Sequence, residues 1–138
     1  MDDQIDIREV EHTADWALRI RGHDLGALLS SAAVGMARLL VENPADVPLN
    51  VERSITVRAL DRESLLVGWL EELAFLAEME MLVFVRVDVS SVTPECLVAT
   101  VHGGRPSRLQ RHIKAVTYHD LAVVQTESGL EATVVFDV

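Results

Sequence analysis

Basic residues are scarce in this chain, and lysine is almost absent. Twelve Lys and Arg stand against 22 Asp and Glu, for a formal net charge of −10, and Lys114 is the one lysine in 138 residues. That balance argues against a free-standing nucleic-acid binder, which neutralises phosphates with a broad basic surface. Any link to nucleic acid should run through a partner protein or a bound cation, although solubility is the commoner reason for an acidic excess. Cysteine also occurs once, as Cys96, so an intramolecular disulfide, a redox pair and a zinc–thiolate cluster are all excluded. In Glu95-Cys96-Leu97-Val98 it reads as a small buried hydrophobe.

Other absences narrow the class further. No apolar run approaches the ~20 residues that span a bilayer. The opening Met1-Asp2-Asp3-Gln4 has neither the basic nor the apolar region of a secretory signal, so the expected compartment is the cytoplasm. There is no internal repeat, no phosphate-cradling Gly loop, no metalloprotease helix and no nucleophile elbow. Nothing therefore encodes a stand-alone catalytic centre, and the expectation is a protein that is not itself an enzyme. A metal-dependent hydrolase is disfavoured because no general base accompanies a further ligand set.

What is present suits one soluble domain over residues 1–138. The hydrophobic share is 49% and the charged share 25%, enough for a core without staples. Ile5–Val10 and Asp15–Arg21 read as extended, the second with Trp16, Leu18 and Ile20 on one face and Ala17, Arg19 and Arg21 on the other. Asp24 is an N-cap signal for a helix whose apolar stripe runs from Leu25 to Leu40. Glu42–Glu52, with Pro44 and Pro48, reads as a loop. Asp61 caps a second helix through Leu65, Leu66, Trp69, Leu70, Leu73 and Leu76, with Glu63, Glu71, Glu72 and Glu78 on a solvated side. Strands are expected at Ser54–Ala59, Leu82–Val89, Leu97–His102, Ala115–Thr126 and Leu130–Val138. The fold class is α+β, with two long amphipathic helices packed on a mixed, largely antiparallel sheet.

Three segments could carry chemistry. In Glu11-His12-Thr13-Ala14-Asp15, the aspartate is either a turn residue or a ligand, and alone the turn is the simpler assignment. In Val135-Phe136-Asp137-Val138, a strand running to the last residue sets an α-carboxylate beside Asp137. Two anionic groups so close repel unless they meet a cation, and oxygen ligands favour a hard ion over zinc. The alternative is a charge that protects a sheet edge from aggregation. The third segment holds Arg105, Arg108, Arg111, His112 and Lys114 inside Cys96–His119, the longest acid-free stretch. It could bind an anionic group or simply pair with nearby Glu residues. A lone lysine in an arginine chain suggests that a compact, titratable amine is wanted there, because guanidinium is a wide, permanently charged fork; the alternative is a compositional drift toward Arg that left one Lys by chance.

Together with Leu65-Leu66-Val67-Gly68-Trp69-Leu70 and Ile113-Lys114-Ala115-Val116-Thr117-Tyr118-His119, these segments resemble the archease family over essentially the whole chain. The family usually has a longer segment before the Ile-Lys-Ala-Val motif, whereas here Arg111-His112 abuts Ile113, so His112 takes no role by alignment. The resemblance implies an accessory protein of the RtcB-type RNA ligase of tRNA splicing or RNA repair. Such a protein promotes ligase guanylylation and multiple turnover without joining RNA. It also implies a divalent metal, calcium foremost with magnesium or manganese as alternatives, held by Asp15, Asp137 and a main-chain oxygen of Val138. The family's functionally important lysine falls on Lys114. On this reading the partner is the ligase, with no direct nucleic-acid contact and no membrane. The competing class is a chaperone-like modulator of RNA-processing enzymes, which would need an exposed apolar patch of several hundred Å².

Overall fold

The computed structural model describes residues 7–11 and 15–138, without the side chains of residues 8–11 and 15. The strand expectation at Ile5–Val10 is met over β1, Arg8–Glu11; Ile5, Asp6 and the Met1–Gln4 opening lie outside the described residues, as do His12, Thr13 and Ala14.

Both helices begin where the sequence signals them. Asp24 is extended and accepts from the Ala27 amide at 2.8 Å, opening α1, Leu25–Leu40. Asp61 does the same for Ser64 at 2.8 Å, opening α2, Arg62–Glu80. Each cap satisfies an amide that has no partner within its own helix. That bond to the Ser64 amide also holds the Asp61 carboxyl below its ordinary range. α2 ends at Met81, whose φ of 55° lies in the left-handed region usually taken by glycine, and the Leu82 amide returns to the Leu76 carbonyl at 3.2 Å.

The strands divide into two sheets rather than one, and every described ladder is antiparallel. In the first, β1 pairs with β2 (Asp15–Gly22), β2 with β8 (Gly129–Asp137), and β8 with β6 (Ala115–Thr117); β7 (Val124–Thr126) also joins β8. The second has the order β3 (Val51–Arg58), β5 (Cys96–Gly104), β4 (Val83–Thr93). α1 touches β2 of the first sheet and β4 of the second, and α2 touches β6 as well as β3 and β4. The helices thus lie between the sheets, which explains why Leu28, Leu29, Ala32, Ala33, Met36, Ala37, Leu39 and Leu40 are all buried: a helix covered on two sides needs more than one apolar stripe. Small residues let the layers approach. A Cβ on Gly35 would sit 3.1 Å from Leu18 Cδ1.

The α+β expectation holds, and four local readings change. The Ala115–Thr126 segment is two short strands separated by a turn in which Asp120 takes φ 51° and Leu121 N–H donates to Tyr118 O at 3.0 Å. Pro44–Asp46 in the long loop forms a 3-10 turn. Cys96 is half-buried at the start of β5 rather than buried, because it pairs with Arg58 and Thr93 at the sheet's end. Glu63 is not a solvated charge: its Oε2 accepts from the Val123 amide at 2.8 Å while Arg62 donates to the Val123 carbonyl at 3.2 Å, so the start of α2 clamps the β6–β7 connection.

The core is one contiguous cluster. Trp69 and Phe136 are its largest fully buried side chains, and Trp69 Nε1 donates to the Leu29 carbonyl at 2.8 Å, tying α2 to α1. A buried indole costs little when its one donor is satisfied in this way.

Candidate functional site at the end of the first sheet

β8 is the pivot of the site because it is paired on both sides. Across β2 the register sets Asp15 directly opposite Asp137, and across β6 it sets Ala115 opposite the same Asp137. Alternation along β8 fixes the faces: Ala132, Val134 and Phe136 are buried, while Thr133 and Asp137 are exposed. Asp15 stands at the register position directly opposite Asp137. The burial of Phe136 on β8 and of Ile113 and Val116 on the β6 side anchors these strand ends against the core.

Lys114 immediately precedes β6, and its amide donates to the Asp137 carbonyl at 2.7 Å. The lysine backbone is therefore fixed to the residue opposite Asp15. Its side chain is exposed, and neither its ammonium nor the Asp137 carboxylate has a hydrogen-bond or ion-pair partner among the described residues. Val138, half-buried, follows Asp137. Asp15, Lys114, Asp137 and Val138 thus meet at one end of the sheet, although they span 123 positions of sequence. Among the described residues, which leave out the Asp15 side chain, no group of three or more His, Cys, Asp or Glu converges.

The basic segment ahead of Lys114 is mostly engaged in holding the fold together. Arg105 Nε donates to the Glu80 carbonyl at 2.9 Å, and Arg111 Nη1 donates to the Leu39 carbonyl at 3.0 Å. The Arg111 guanidinium also lies 4.2 Å from the centre of the Trp16 ring, a cation–π contact. The Gln110 amide donates to the Leu40 carbonyl at 2.8 Å. Gln110 and Arg111 thus cover the last carbonyls of α1 and Arg105 the last of α2, each the negative end of a helix dipole, where a cation is favoured. His112 Nδ1 lies 3.1 Å from Glu78 Oε1 on α2. Of the basic side chains singled out in the sequence, Arg108 and Lys114 have no partner among the described residues; Arg108 lines a cleft of about 350 Å³ with Glu42 and Asp46. The sequence flagged this segment by its charge, but the capping role of Gln110 and Arg111 has no local signature, since its partners lie about 70 residues away.

Fold and site together define a two-sheet α+β protein with a polar cluster at a strand end. The sequence profile of the archease protein family matches residues 8–138, and the chain belongs to that family. It is 32% identical over 137 residues to the protein archease of Methanosarcina acetivorans, covering 94% of this chain and 93% of that one. It is 31% identical over 126 residues to the protein archease of Pyrococcus furiosus, covering 86% and 88%. The solution structure of Methanobacterium thermoautotrophicum protein 1598 is similar with a TM-score of 0.77 and 25% identity, covering 96% of this chain and 98% of the other. A Thermotoga maritima crystal structure, described as an archease and possible chaperone, shares the fold with a TM-score of 0.61 at 23% identity, covering 95% and 96%. No helix among the described residues is long and apolar enough to cross a membrane.

Proposed function

We propose that this archease activates an RtcB-type RNA ligase by protein contact, promoting ligase guanylylation and repeated turnover without joining RNA itself. In this reading Asp15, Asp137 and a main-chain oxygen of Val138 hold one divalent cation, calcium or a similarly hard ion, and Lys114 acts beside it on the ligase. The observation that carries the reading is the pairing of Asp15 with Asp137 across the β2–β8 ladder, with the Lys114 amide on the Asp137 carbonyl.

The donor chemistry fits such an ion. Two aspartates at facing register positions would repel each other unless a cation joins them, and an all-oxygen set suits calcium or magnesium better than zinc. The Asp137 carbonyl already accepts from Lys114, which leaves its carboxylate and the next main-chain oxygen as the available donors on that strand. A bound cation would supply charge neutralisation at the strand end. The chain's own contribution is the fixed β2–β8 register and a lysine held one residue outside β6. The net charge of −10 keeps RNA away from the protein, so contact with the ligase is the route to its guanylate site.

A multiple-turnover ligation time course with the cognate ligase tests this, run with and without the protein while calcium is titrated. A gain in turnover that needs both supports the reading; ligation unchanged by the protein at every calcium level rules it out. The second reading, a chaperone-like modulator, draws on the description of the Thermotoga relative as a possible chaperone. It requires that the protein also protect unrelated RNA-processing enzymes from aggregation, independently of metal.

A further inference from the structure

We infer that the C-terminal half of α2 is the docking face for a basic protein surface with an apolar recess, and that it brings such a partner alongside Lys114. Resting on the function proposed above, the partner is the ligase. Phe75 is 57% exposed and Met79 64% exposed, and residues four apart on a helix are neighbours on its surface. Both belong to the stripe that begins at Gly68, where a Cβ would lie 3.1 Å from Val57 Cγ1 of β3. β3 therefore covers the start of the stripe and leaves its continuation open.

The flanks of this open stretch are acidic. Glu71, Glu72 and Glu78 are exposed on α2, and Glu71 and Glu72 have no cationic partner among the described residues. Arg105 covers the Glu80 carbonyl at the end of α2, so the acidic character of this stretch comes from the carboxylates of Glu71 and Glu72 and not from the helix dipole. An exposed apolar pair with unpaired carboxylates beside it complements a partner with an apolar pocket and a cationic rim. An enzyme that handles RNA must present cationic surface to phosphates, and that surface is the class of rim this face fits. The face also has a fixed relation to the candidate site: Glu78 on α2 contacts His112 at 3.1 Å, and His112 precedes Lys114 by two residues.

The experiment measures binding of the whole protein to the cognate ligase by calorimetry at low and moderate salt. It compares wild type, Phe75→Ala with Met79→Ala, Glu71→Lys with Glu72→Lys, and Lys114→Ala, after circular dichroism shows that each is folded. Both α2 double variants should bind at least about tenfold more weakly, and the charge reversal should also lose salt dependence. Lys114→Ala should bind nearly as wild type while failing to stimulate ligation. Wild-type affinity in both α2 variants overturns the inference and leaves the proposed function standing. An effect confined to self-association in sedimentation, with ligase affinity intact, makes the face a homodimer contact and also overturns it. No binding by wild type overturns both, whereas binding through α2 without stimulation overturns only the functional reading.

Discussion

The Lys114 amide donates to the Asp137 carbonyl at 2.7 Å, joining the chain's one lysine to the strand whose end lies opposite Asp15. Because this bond is made by the backbone, it survives any change of the lysine side chain. Position and chemistry can therefore be separated by substitution.

Lys114→Ala is expected to leave the unfolding free energy within about 0.5 kcal/mol of wild type, as for an exposed side chain without partners among the described residues. Ligase stimulation should be lost. Lys114→Arg should fail to restore it, since a guanidinium fork does not replace a compact ammonium. Full stimulation by the arginine variant would reduce the role of Lys114 to bulk positive charge. The checks are urea denaturation and the ligation time course.

Trp69 should be the costliest single site in the core. It is fully buried and its indole N–H reaches Leu29 on α1, so Trp69→Ala should cost about 3–5 kcal/mol in chemical denaturation. Trp69→Phe keeps much of the volume and loses mainly the hydrogen bond, for a smaller cost of about 1 kcal/mol. Equal losses for the two would mean that the bond, not the packing, dominates.

Acid sensitivity has an identifiable contributor in Glu80. The hydrogen bond from Arg53, at 2.9 Å, holds its carboxyl below the ordinary value, with Arg105 adding to the effect. A depressed folded-state value means that the stabilisation is present above the ordinary carboxylate range and disappears as pH falls through the lowered one. Arg53→Gln should therefore be less stable than wild type near neutrality, and the difference should close as pH falls from the ordinary carboxylate range through the lowered value. Thermal melts of the two proteins across pH 3 to 7 check the sign. A gap that widens on acidification would contradict it.

Much of the fold was legible because its determinants are local. Asp24 and Asp61 mark both helix starts, and the period-two alternation of Leu130–Val138 marks β8 with its inner and outer faces. The division into two sheets was not legible, since strand pairing is a long-range choice that alternation leaves open; β3 and β5 pair from Arg58↔Cys96 to Val51↔Gly103, across 38 to 52 positions. The β6–β7 break was hidden for a related reason. Its left-handed residue is Asp120, not a glycine, and its clamp comes from Arg62 and Glu63 on a distant helix. At the candidate site, residue types and motifs singled out Asp15, Lys114, Asp137 and Val138, whereas the β8 pairings that gather them are visible only in the fold. Residue types left the basic segment open between an anion site and pairing with Glu residues; Arg105, Arg111 and His112 find their partners, two carbonyls and Glu78, on helix ends far away in sequence.

The claim on which the account rests is that the two ends of the described chain share one cation. Calcium titration by calorimetry, comparing wild type with Asp15→Asn, Asp137→Asn and the double variant, tests it most directly. The account predicts one site per chain in wild type and at least roughly tenfold weaker binding in either single variant, about 1.4 kcal/mol each. The double variant should lose little more than the singles, because removing one carboxylate already breaks the shared site. Wild-type affinity in either single variant, or no calcium binding by the wild-type protein, would contradict it.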